Sequence, residues 1–307
     1  MTKNYSAHPD TSLTIAGVYF KNPVIAASGT FGYGKEYAGV FDISMLGGIC
    51  TKGLTLNPRG GNSGNRIWET PSGMLNSIGL ENPGIKAFIE HELPRLQNSG
   101  TVVIANLSGG SIEEYAEGAK LLNESAVGMI ELNISCPNVK KGGMLFGLDP
   151  ACAGDVTAAV KKVIKKPLIV KLSPNAADIN AVAAACVQNG ADALSLVNTF
   201  KGMAIDTEKR KPVFDNIFAG LSGAAIRPIA LRMVWDLCHS PNINIPVIGL
   251  GGIDSSAAAI EFLLAGAAAI QVGCATFANP HTMPDIIDGI VHYMIKHHIQ
   301  NLSELGL

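Results

Sequence analysis

Several features that would narrow the function of a chain this long are missing from this one. The six cysteines, Cys50, Cys136, Cys152, Cys186, Cys238 and Cys274, lie far apart. None of the close pairings that zinc or iron–sulfur clusters need is present, so no metal site follows from their spacing. There is no apolar run of about 18 residues, the length a membrane span needs. The opening stretch MTKNYSAHPDTSLTIAG lacks the apolar core of a signal peptide. The expectation is a cytoplasmic protein with reduced thiols. An excess of either charge is also lacking: 23 basic residues face 25 acidic ones, which gives no reason to expect nucleic acid or an anionic membrane surface. No G-x-G-x-x-G follows a strand-like run, so nothing suggests a dinucleotide fold for NAD. What is present is 307 residues with 47% hydrophobic content and 34 glycines, the composition of a compact globular protein rich in tight turns. Small-molecule chemistry is the default.

Short apolar runs rich in β-branched residues recur along the chain. They are VIAAS from Val24, GGICTKG from Gly47, TVVIANLSG from Thr101, GMIELNISC from Gly128, PLIVKLSP from Pro167, ALSLVNTF from Ala193, PVIGLGGI from Pro246 and AIQVGCAT from Ala269. Each suits a strand buried on both faces of a parallel sheet. Helical segments lie between them. In SIEEYAEGAKLLNES, Ser111 and Glu114 have capping-box spacing, and Ile112, Tyr115, Ala119 and Leu122 share one face. In DSSAAAIEFLLAG, Asp254 reads as the cap and Gly266 as the stop. Eight such strands alternating with helices predict a (β/α)8 TIM barrel, a single domain over residues 1–307, with a doubly wound open sheet as the alternative. LTIAGVYFKNP, from Leu13, reads as a hairpin closing the barrel bottom. Two stretches, LNPRGGNSGNRIWETPSGMLNSIGLENPG and KGMAIDTEKRKPVFDNIFAGLSG, follow strand C-termini and read as insertions over the mouth.

Barrel enzymes carry their chemistry at strand C-terminal ends. Here those ends hold Lys52, Asn106, Asn133, Cys136, Lys171, Asn198 and Thr199. Lysines and amides converging on one mouth are costly inside a core and suit a polar ligand. For any one of them, a solvated strand end or a loop-capping amide is the alternative. The seventh and eighth strands end in GLGGID and VGCATF. Glycines there let backbone N–H groups approach an anion, as in barrel phosphate sites, or serve only as tight turns. Five cysteines fall within apolar strands or helices and read as core. Cys136 instead opens a loop containing KKGG, whose positive field favours a thiolate. A buried strand end is the competing reading of that residue.

In the same order and over nearly the whole chain, TKG, NSIGLENPG, ANLSG, ELNISCPNV, VKLSPN, VNTF, GLSG, GLGGI and VGCAT resemble the class 1 dihydroorotate dehydrogenases. NSIGLENPG and CPNVKKGG are most similar to the class 1B catalytic subunit. The resemblance implies an FMN-containing barrel that oxidises dihydroorotate to orotate in pyrimidine biosynthesis, with Cys136 as the base. It further implies that Lys52, Asn76, Ser77, Ile78, Gly79, Leu80, Asn133, Asn198 and Thr199 hold the substrate. Ser28, Lys52, Gly53, Asn106, Asn133, Lys171 and Val197 would contact FMN, and Gly223, Gly251, Gly252, Gly273 and Cys274 would form the phosphate end. Cys274 departs from the threonine expected there, so only its backbone would matter. A partner subunit with FAD and a [2Fe-2S] cluster is implied, in a heterotetramer of two plus two whose catalytic chains pair as a homodimer. A class 1A-like enzyme reoxidised by fumarate, the flavin domain of dihydropyrimidine dehydrogenase, and a binding barrel without turnover are the alternatives.

Overall fold

The computed structural model describes residues 8–135 and 146–306. Eight parallel strands close into a barrel: β1 (Val24–Ala26), β2 (Gly48–Cys50), β3 (Val102–Leu107), β4 (Met129–Asn133), β5 (Leu168–Lys171), β6 (Ala193–Leu196), β7 (Val247–Leu250) and β8 (Ala269–Val272). They are the eight runs read from the sequence. Each pairs with its neighbours in the chain, and β8 closes on β1 through Ile270 opposite Val24 and Gln271 opposite Ile25. Burial on both faces explains their near-continuous apolar character.

Helices α1 (Ile112–Asn123), α2 (Pro150–Lys161), α3 (Ile179–Gln188), α4 (Arg227–Cys238), α5 (Ser256–Leu264) and α6 (Thr282–Lys296) form much of the outer layer. In α1, Tyr115, Ala119 and Leu122 are buried and Ile112 is half-buried, as its apolar face predicts. Ser111 caps the helix by accepting from the Glu114 amide at 3.2 Å. The reciprocal half of the box is absent, because the Glu114 carboxylate accepts from Gly110 N–H at 2.7 Å instead. The cap of α5 is Ser255, which accepts from the Ala258 amide, and not Asp254. Asp254 is drawn away to Arg227, 3.1 Å from its guanidinium. Gly266, at φ +99°, stops that helix as expected.

The alternation is not complete. Between β1 and β2 stand only two short 3₁₀ turns, Tyr37–Gly39 and Ile43–Met45. Gly29, Gly32 and Gly34 all take positive φ there, which breaks a helix before it can grow. The link from β2 to β3 carries a helical stretch, Ile85–Ala87 and Leu93–Gln97, joined through a π turn at Phe88–Glu92.

The hairpin of Leu13–Ile15 and Val18–Phe20 closes the bottom. Its Ile15 and Phe20 pack on a layer of inward side chains that includes Ile25, Ile104, Met129, Ile169, Ala193, Ile248 and Ala269. The two insertions meet in one antiparallel sheet. Its strand order is Phe200–Met203, Phe218–Ser222, Gly73–Asn76, Ile67–Thr70, with a small core of its own at Leu75, Val213, Phe214 and Ala219.

Candidate active site

Side chains alternate across a strand, so the residue two beyond each inward apolar one also points into the barrel. In five strands that position is polar, whereas two beyond Ile25 and Ile248 stand Ala27 and Leu250. Above Met129 stands Glu131, above Ile104 Asn106, above Ile169 Lys171, above Ala193 Ser195 and above Ala269 Gln271; Cys50 joins them from β2. Glu131 is fully buried and gathers the rest. Its Oε1 accepts from Asn106 Nδ2 at 2.7 Å and Cys50 Sγ at 3.1 Å, and lies 3.6 Å from Lys171 Nζ. Its Oε2 accepts from Ser195 Oγ at 2.9 Å and Gln271 Nε2 at 2.6 Å. Burial alone would raise the Glu131 pKa; the Lys171 ammonium and the donors Gln271, Cys50 and Ser195 outweigh it and hold the group below the usual carboxylate range. Burial and the Glu131 charge push the Cys50 thiol well above its ordinary value, so it stays a neutral donor.

A row of amides crosses the mouth above this floor. Asn133 Nδ2 is 3.5 Å from Asn106 Oδ1, Asn198 Nδ2 donates to Asn133 Oδ1 at 3.2 Å, and Thr199 N–H donates to Asn198 Oδ1 at 2.8 Å. Asn133 Oδ1 also accepts from Ser135 N–H at 3.2 Å, and its carbonyl accepts from the Tyr115 hydroxyl at 2.7 Å. Lys52 follows β2 and reaches toward Glu81, 3.9 Å away. Ser28 comes to the floor through its backbone, which contacts the Cys50 thiol. Gly53 sits where a Cβ would come within 3.1 Å of Asn106 Oδ1 and 3.2 Å of Leu80.

The stretch Asn76–Leu80 arrives from the inserted sheet and is held by its neighbours. Asn76 Nδ2 donates to Gly220 O at 3.3 Å, Asn62 Nδ2 donates to Ser77 Oγ at 3.0 Å, and Asn62 N–H donates to Ile78 O at 2.9 Å. Gly79 and Leu80 follow at φ +79° and +56°. A Cβ on Gly79 would strike Asn62 Oδ1 at 2.4 Å. Leu80 carries its side chain in the left-handed region, a strained choice that the Asn82 side chain supports by donating to its carbonyl at 2.7 Å.

The glycine loops meet on the rim beside Val197 and Gly73. A Cβ on Gly252 would lie 2.8 Å from Gly223 O, and one on Gly251 would lie 3.1 Å from Val197 Cγ2. Cys274 meets Ser222 through its thiol. Gly223, Gly251 and Gly252 have φ of +111°, +129° and +73°, so backbone and packing already require glycine there. Gly273 is different: its φ is not positive, and an added Cβ would meet nothing closer than Ala27 at 3.7 Å.

The dihydroorotate dehydrogenase family model matches residues 11–294. The chain belongs to the dihydroorotate dehydrogenase family. It is 57% identical over 296 residues to the catalytic subunit of dihydroorotate dehydrogenase B (NAD(+)) from Petrotoga mobilis, an overlap of 96% of this chain and 98% of that protein. The subunits of the same name from Pelobacter propionicus and Thermoanaerobacter pseudethanolicus are 53% and 52% identical, over 97% and 95% of this chain and 97% and 96% of theirs.

Membership of the dihydroorotate dehydrogenase family implies a flavin, and the residues present fit one. Among the described residues, Ser108 Oγ and Gln271 Oε1 are buried without a partner, and such atoms call for a polar group to complete them. At Gly273, beside Cys274 on the same rim, an added Cβ would make only ordinary contacts with Ala27 and Thr30. All the predicted site residues among the described ones belong to this mouth or to the floor and rim around it. Cys136 and the KKGG loop lie outside the described residues.

Three residues central to the floor escaped the sequence reading: Glu131, Ser195 and Gln271. Cys50, read as core, is buried but serves as a donor. Of the other described cysteines Cys186 is buried, whereas Cys152, Cys238 and Cys274 are only half-buried. The missed signal was period two within the strands, where a polar residue two places after an inward apolar one marks the next layer up.

Proposed function

We propose that this chain, acting as one domain, oxidises dihydroorotate to orotate with FMN held at the barrel mouth. The observation that supports this most is the charged floor beneath a row of amides, with two lysines, in a member of this family. Cys136 removes the proton from carbon 5 of dihydroorotate. Lys52, Asn76, Asn133, Asn198 and Thr199, with the backbone of the 77–80 stretch, orient the substrate carboxylate and ring amides, because each offers a fixed donor or acceptor. Ser28, Gly53, Asn106, Lys171 and Val197 border the ring of the cofactor. Gly223, Gly251, Gly252, Gly273 and Cys274 provide backbone N–H groups for its phosphate. FMN supplies the acceptor for the hydride that leaves carbon 6. Lys171 places a cation that favours negative charge on that acceptor.

The electrons then leave through a partner subunit carrying FAD and a [2Fe-2S] cluster that delivers them to NAD⁺, in a cytoplasmic assembly of two catalytic and two partner chains. Relatives named as catalytic subunits support this arrangement. Anaerobic titration with dihydroorotate while following flavin absorbance tests the chemistry. Bleaching by dihydroorotate but not by dihydrouracil is expected. A colourless protein, or one bleached equally by both, would overturn the reading.

A further inference from the structure

Glu131 reaches neither the mouth nor solvent, yet side chains from five other strands converge on it. A buried ion pair contributes little net stability compared with apolar packing. What it supplies here is direction. An ionised carboxylate only accepts hydrogen bonds, so Asn106 must turn Nδ2 toward Glu131, at 2.7 Å, and leave Oδ1 facing Asn133. At the far end of the row, the amides of Ser135 and Thr199 only donate, which obliges Asn133 and Asn198 to turn Oδ1 toward them. Both ends are therefore unambiguous, and every amide between them has one orientation. Asn133 and Asn198 each retain an N–H outside the row.

We propose that Glu131 is a positioning residue for the site: by anchoring Lys171 and setting Asn106, the floor end of a row whose Asn133 and Asn198 are set by the Ser135 and Thr199 amides, it helps the mouth present donors to an acceptor-rich ligand. The inference rests on the function proposed above, with orotate and the flavin as the groups it serves. A neutral residue of the same size would release the lock at its floor end, because a glutamine can present either its oxygen or its nitrogen to Asn106, which then keeps only the 3.5 Å contact with Asn133. It would also leave the Lys171 charge uncompensated.

The test pairs Glu131→Gln with wild type. Selective ¹⁵N-asparagine NMR on flavin-free and flavin-loaded protein reads side-chain amide exchange. In wild type the Asn106 amide protons should exchange at least tenfold more slowly than those of exposed asparagines, and Glu131→Gln should abolish that protection. Glu131→Gln should also bind orotate at least tenfold more weakly by flavin-absorbance titration, and its flavin reduction potential should move positive, a readout that loss of packing alone would not shift in that direction. Unprotected Asn106 protons in wild type would overturn the proposal, and this arm decides the matter if the variant does not fold. So would a folded variant with unchanged orotate affinity and unchanged or more negative potential. A wild-type flavin that dihydroorotate fails to reduce would instead sink the proposed reaction, leaving the amide lock to the NMR arm.

Discussion

Glu131 and Lys171 sit 3.6 Å apart with almost no exposure, and removing one leaves the other buried and unpaired. Lys171→Ala should therefore cost about 3–5 kcal/mol, read as a fall in chemical-denaturation stability, with part recovered in the double variant Lys171→Ala/Glu131→Gln. The Glu131 carboxyl is held below its ordinary range, so the folded state keeps its proton off more readily than the unfolded chain does. Its contribution is complete above the ordinary carboxylate range and is lost as pH falls through the folded value. The melting temperature should drop below about pH 4, with a shallower acid limb in Glu131→Gln; identical limbs would remove Glu131 from the acid response. The two strand-end lysines should separate by ligand. Lys52→Ala should weaken orotate binding, whereas Lys171→Ala should lower the flavin potential. For the proposed base, Cys136→Ser should retain flavin and bind orotate but reduce flavin about 10²- to 10⁴-fold more slowly near neutral pH, measured by stopped-flow absorbance.

Among the elements, the glycine rim divides into positions the chain itself needs and one it does not. Gly252→Glu would put a side chain at φ +73° and within 2.8 Å of Gly223 O, so misfolding would mask any loss of phosphate affinity. Gly273 has room for a Cβ and ordinary backbone. Gly273→Glu should keep its melting cooperativity yet purify largely without flavin, because bulk and negative charge then stand on the rim assigned to the phosphate. Stoichiometric flavin in that variant would move the phosphate elsewhere. The Ser111 cap of α1 is the simpler case: Ser111→Ala should cost about 1 kcal/mol in stability and leave the flavin spectrum unchanged.

Taken as a whole molecule, the barrel supplies a floor and the two insertions supply a wall. Asn76–Leu80 is presented by a sheet whose strands come from both insertions, so the stretch proposed to hold the substrate and Thr199 share one support. Electrons placed on a flavin here need an exit, and no cysteine grouping or dinucleotide motif in the chain provides it. The isolated chain, reduced by dihydroorotate, should therefore reduce NAD⁺ negligibly and respond weakly to fumarate. Co-expression with the proposed electron-transfer subunit should give NAD⁺ reduction in steady-state assays. Rapid fumarate turnover by the chain alone would favour reoxidation at the same mouth.

The eight strands, the bottom hairpin, the Ser111 cap and the strand-end lysines and amides were legible in the sequence, because each depends on local pattern: an apolar run, a capping residue, a polar residue where a run ends. Asp254 was misread because a distant Arg227 competes for its carboxylate. The inserted sheet needed the fold, since it pairs Gly73–Asn76 with Phe218–Ser222 across more than a hundred residues. The charged floor needed it most. Glu131, Ser195 and Gln271 lie inside strands that read as buried on both faces, and a carboxylate there is tolerable only because closing the barrel brings four donors and an ammonium from five other strands to its two oxygens.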